Sequence, residues 1–127
     1  MPQFPMTESR RPVLERIPDY QVVIKPADKH IVVESNGQIL AESNSALVVQ
    51  ETRHQDVFYL PMADINLSLL TPTDHTTYCP FKGHASYWSL DEKLVNFVWC
   101  YLSPYPEVEK IRSHLAFYED KVTLIAT

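Results

Sequence analysis

At 127 residues, 45% of them hydrophobic and 21% charged, the chain has the size and balance of one globular domain with a buried core. A formal net charge of −5 argues against a general nucleic-acid binder, which needs a basic face to displace counterions, but leaves room for a small anion on one or two local lysines. Two cysteines make no disulfide framework, there is no charged-then-apolar leader, and no apolar run approaches a membrane span, so the expectation is a cytoplasmic protein with reduced thiols and no membrane partner.

Residues 1–18 differ from the rest. Pro2, Pro5, Pro12 and Pro18 bar a sheet ladder or a long helix there. A disordered arm is one reading. The apolar Phe4, Met6, Val13, Leu14 and Ile17 favour another, in which the arm docks and buries Leu14 and Ile17 on its own domain or on a second subunit, giving a homodimer by arm exchange. A single β-rich domain is expected over residues 19–127.

From Tyr20 onward the pattern is β. Ile31 to Ser35 and Gln38 to Ala41 flank Asn36-Gly37, the strongest short hairpin signal, because a type I′ turn needs positive φ at both central residues. Ala46 to Glu51 and Val57 to Leu60 read as further strands. Asp64 to Leu70 fits either a short helical turn or extended chain. His84 to Leu90 alternates, with Tyr87 on one face and His84, Ser86, Trp88 and Leu90 on the other. Asp91-Glu92-Lys93 reads as a turn, and Leu94 to Leu102 as a central strand buried on both faces.

A helix is expected from about Pro106 to Leu115. Pro106 suits its first turn, Glu107 and Glu109 its positive end, and Val108, Ile111 and Leu115 give one apolar stripe. Val122 and Leu124 alternate with Lys121 and Thr123 in a last strand. The class that follows is mainly β: a compact antiparallel sheet or barrel-like domain with one short helix in its C-terminal half.

Reactive groups concentrate in residues 74–88. Asp74 beside His75 offers half of a general-base arrangement, although neighbours on an extended strand point to opposite sides and Asp74 could instead cap a turn. Cys79 is a candidate nucleophile if a cation lies near it, and otherwise a structural thiol. Cys100, in the apolar run, reads as core. His75, Cys79 and His84 are loosely spaced for zinc, and without a C-x-x-C no metal or other cofactor is expected. Gly83 is expected to supply a positive φ or a close approach, and Lys82 to hold a phosphate or carboxylate or to be a solvated turn residue. His84, Tyr87 and Trp88 are candidates for the lining of a ligand site.

Cys79-Pro80-Phe81-Lys82-Gly83-His84-Ala85-Ser86-Tyr87-Trp88 resembles the hallmark of the domain-of-unknown-function family numbered four-two-seven, which also carries a nucleotidyltransferase-like label. The likeness extends to Ala41-Glu42-Ser43, to Asn96 through Tyr101 and to Leu115 through Tyr118, and covers roughly residues 28–123. It implies a β-tent type of fold, related to zinc-binding domains whose paired C-x-x-C motifs this chain lacks, so zinc does not carry over. A glycine-rich phosphate loop and clustered metal-binding carboxylates are also missing, so the label does not imply transfer chemistry here.

Three functions share these residues: a small-molecule binding domain with its site on the 74–88 segment, an enzyme using Cys79 and His75, and an interaction scaffold with no such site.

Overall fold

A computed structural model describes residues 17–127. The arm expected over residues 1–18 falls almost wholly outside them, Leu14 included; Ile17, expected to be buried, is half-buried. Among the described residues no helix is long and apolar enough to cross a membrane.

The described chain is mainly β, in ten strands: β1 (Val22–Pro26), β2 (Ile31–Ser35), β3 (Gln38–Ser43), β4 (Leu47–Glu51), β5 (Val57–Pro61), β6 (Thr71–Cys79), β7 (Gly83–Ser89), β8 (Val98–Cys100), β9 (His114–Phe117) and β10 (Thr123–Ala126). They form a seven-stranded sheet in the order β1-β4-β5-β9-β8-β7-β6 and a three-stranded sheet in the order β10-β2-β3. Every pairing is antiparallel. The larger sheet does not close into a barrel, since β1 and β6 remain edges.

Strict alternation along the central strands gives the larger sheet two apolar faces. Leu60, Val98, Cys100, Leu115 and Phe117 point inward and pack with Ile31, Val33 and Leu40 of the small sheet. Tyr59, Ala85, Tyr87 and Ala116 point the other way and pack with Tyr105, Val108 and Ile111. The period of two therefore sends Tyr87 and Trp88 to opposite faces, and Trp88 lies against the inner core. Each fully buried aliphatic side chain in these clusters contributes about 1.5–3 kcal/mol.

The Asn36-Gly37 hairpin forms as expected, with φ of +51° and +79°. Two expectations need correction, and one open alternative is decided. The segment Pro106–Ile111 is a 3-10 helix, interrupted at Val108 (φ −122°), and Leu115 belongs to β9. Stripes at i and i+3 suit a 3-10 turn as well as an α-helix, so the apolar spacing did not discriminate between them. The Leu94–Leu102 run is a strand only over Val98–Cys100, because Asn96 takes a φ of +51° and bends the chain before it. The ambiguous Asp64–Leu70 stretch holds 3-10 turns at Met62–Asp64 and Leu67–Leu69, separated by Ile65, which bridges to Ala41.

Candidate functional site

The hairpin β6–β7 turns through Pro80, Phe81 and Lys82, closed by the Lys82 amide donating to the Cys79 carbonyl at 3.2 Å. Gly83 follows with φ +115°. A Cβ there would meet Ser103 O at an ordinary 3.6 Å, so conformation rather than space requires glycine. Phe81 is buried in a face-to-face stack on Tyr20, centroids 3.6 Å apart and planes 9° apart.

With Phe81 held in that stack, Lys82 is buried rather than solvated. Its Nζ donates to Glu51 Oε1 at 2.6 Å and to Cys79 Sγ at 3.7 Å, while the Tyr20 hydroxyl donates to the other Glu51 oxygen. Glu51 is the last residue of β4, so the pair ties the turn to the end of a strand near the far edge of the sheet.

Between the turn and the strand ends lies an open cleft of about 810 Å³. Its lining includes Tyr59 of β5, Tyr87 of β7, Trp99 of β8, Tyr101, and Phe117 through Asp120 after β9. Ala116 lies directly opposite Trp99 in the register, and its small side chain lets Trp99 Nε1 donate across β9 to the Tyr59 hydroxyl at 3.1 Å. The two rings meet edge to face, 6.1 Å apart at 88°; Tyr118 leans on Trp99 at 4.7 Å and 45°.

The phenols here are held neutral. Burial raises Tyr59 and Tyr101 well above the ordinary tyrosine range, and nearby Glu51 pushes both further in that direction. Burial and then the hydrogen bond to Glu51 do the same to Tyr20. The Tyr101 hydroxyl makes no hydrogen bond among the described residues, although Tyr101 is only 7% exposed. Tyr101 lines the cleft, as do Tyr59, Cys79, Tyr87 and Glu51, the groups that act on it electrostatically.

Of the residues singled out from sequence, Cys79, Lys82 and Tyr87 line this cleft. His75 lies outside it, its ring edge-on to Tyr87 at 4.7 Å, and Tyr87 takes its hydroxyl partner from Thr77 at 2.8 Å. Asp74 is exposed and forms no pair with His75 among the described residues; the Thr73 hydroxyl, not Asp74, accepts the His75 amide. His84 sits 4.8 Å from the Tyr78 ring, and Trp88 packs in the inner core, so neither reaches the cleft. His75, Cys79 and His84 are not gathered as ligands; no metal-holding group of three such residues occurs among those described. Cys100 is sealed in the core, where burial pushes its thiol up to about 12.

Glu51, Tyr20, Tyr59, Trp99 and Tyr101 were not singled out as site residues. The one hint was the acidic end of the apolar run Ala46–Gln50, where a carboxylate leaves a buried strand.

Fold and cleft together define a small all-β domain, two antiparallel sheets with an aromatic cleft on the outer face of the larger. The family model described as Domain of unknown function (DUF427) matches residues 23–127, and the chain belongs to that family. Among curated proteins the chain finds no match.

Proposed function

We propose that this protein binds a small molecule in the cleft beside the 79–82 turn. The observation that carries this reading is Tyr101, a buried residue of the cleft lining whose hydroxyl has no protein partner among the described residues. A buried polar group is ordinarily satisfied, and one left open toward a cleft of ligand size marks where a bound molecule supplies the bond. Screening a small-molecule library by thermal shift tests it. A ligand raises the melting temperature in proportion to ln(1 + [L]/Kd), and Tyr101→Phe reduces that rise. A hit that stabilises both proteins equally would place binding elsewhere.

Chemistry at Cys79 is a second reading, favoured by one observation: a partly exposed thiol on the cleft wall with the Lys82 ammonium 3.7 Å from its sulfur. His75 lies outside the cleft, so the proton partner in such chemistry is Lys82 rather than the imidazole. A phosphoryl-transfer reading has less support, because Lys82 is the only lysine or arginine lining the cleft among the described residues and it is already paired with Glu51.

A cytoplasmic location and a homodimer formed through residues 1–18 belong to the same reading. Two free thiols support the first, the apolar anchors of the arm the second. Cell fractionation tests one, and light scattering of the protein with and without residues 1–18 tests the other.

A further inference from the structure

We propose that the ligand of the cleft is an organic cation, an alkylammonium whose charged end lies on the rings of Trp99 and Tyr118 beside Glu119 and Asp120. This rests on the reading of the cleft as a small-molecule site.

Charge is the first argument. Among the described residues, Glu51, Asp56, Glu119 and Asp120 line the cleft against one ammonium, that of Lys82, and the imidazole of His54. Lys82 is neutralised by Glu51 at 2.6 Å, and Asp56 takes only a neutral amide hydrogen bond from Gln50 at 3.0 Å. Three carboxylates therefore remain without a cationic partner among those residues, a field that draws in a cation and repels a phosphate or carboxylate.

Ring geometry is the second. Tyr59 stands perpendicular to Trp99, and Tyr118 leans on Trp99 at 45°, so three ring planes of different orientation bound one corner. Indole and phenol faces are negative, and a cation that has left water gains most over tryptophan. Glu119 and Asp120 follow Tyr118 directly in the chain and bring carboxylates to the same corner. The buried Tyr101 hydroxyl adds a neutral partner for a polar group on the ligand.

The test follows the two indole N–H resonances of the full-length protein by NMR, Trp99 as reporter and Trp88 in the inner core as control. Three probes are titrated separately: choline, 3,3-dimethylbutan-1-ol (its uncharged isostere) and acetate. Choline is expected to shift Trp99 saturably, to leave Trp88 in place, and to bind about tenfold tighter than the isostere. The exposed pair Glu119→Gln and Asp120→Asn, changed together, is expected to weaken choline and leave the isostere unchanged. Equal or tighter binding of the isostere or of acetate would overturn the cation proposal and keep the cleft as a ligand site. If none of the three moves Trp99, the cation proposal fails, and neutral and anionic fragments followed on the same resonance decide the cleft reading separately.

Discussion

Lys82 Nζ lies 2.6 Å from Glu51 Oε1, and the two side chains are only 8% and 12% exposed. Thirty-one positions apart, they hold the β6–β7 turn against the end of β4 and so fix one wall of the cleft. Removing one partner strands the other. Lys82→Met is expected to cost about 3 kcal/mol in urea denaturation, the low end for a buried pair because the cleft admits water. Combining it with Glu51→Gln should cost less than the two single changes added together, by about 1–3 kcal/mol. Strict additivity would mean that the pair is not coupled.

The two thiols differ in access. Cys79 is partly exposed on the cleft wall, whereas Cys100 is fully buried and its thiol is pushed up to about 12. In the native protein iodoacetamide is expected to modify Cys79 first and to leave Cys100 intact until unfolding. Peptide mass mapping over time measures this; equal protection of both thiols would remove the covalent reading.

Gly83 and Gly37 both sit at positive φ, +115° and +79°. Gly83→Ala is expected to lower stability by about 1–3 kcal/mol through backbone strain, and to disturb the Lys82 contacts beside it. Gly37→Ala, with nothing within 4 Å of its Cβ, should cost about 1–2 kcal/mol and leave the cleft untouched. Denaturation midpoints give the costs, and the Trp99 indole resonance shows which change reaches the site.

His30 carries an acceptor at each ring nitrogen, Asn44 Oδ1 at 2.6 Å and Glu42 Oε2 at 2.8 Å, and only the imidazolium can donate to both. The Asn44 bond, then the Glu42 bond, raise its pKa above 6.5. The folded value exceeds the unfolded one, so the contribution is complete below the unfolded pKa and is lost as pH rises through the folded value. The difference in melting temperature between the wild type and His30→Gln should therefore shrink as pH rises through and above the ordinary imidazole range. High salt should shrink it as well, because the site is exposed. A gap that widens with pH would contradict the assignment.

What could be read from the chain was local. Asn36-Gly37 dictated its turn through φ alone, and the apolar runs at 46–51 and 57–60 became β4 and β5. Gly83 stands out in the sequence as a special backbone position, while His75, Cys79, Lys82, His84, Tyr87 and Trp88 read as one group, of which Cys79, Lys82 and Tyr87 line the cleft. Their partners were beyond reach: Glu51 and Tyr59 come from strands joined to the hairpin only through the β5-β9-β8 pairings. The strand period places Tyr87 and Trp88 on opposite faces, but which of the two lines a cleft depends on which face the small sheet covers. Tyr101 carried no sign of its open hydroxyl, since an unmet hydrogen bond is a property of the assembled cleft.

The whole account turns on whether the cleft beside Lys82 is where this protein meets its ligand. The most direct measurement is an amide and indole NMR map of the full-length chain titrated with the strongest binder from the thermal-shift screen. The account predicts saturable shifts gathered at Tyr59, Lys82, Tyr87, Trp99 and Tyr101. Shifts confined to the groove at Glu92–Asn96, or to the patch around Ile39 and Ile65, would contradict it.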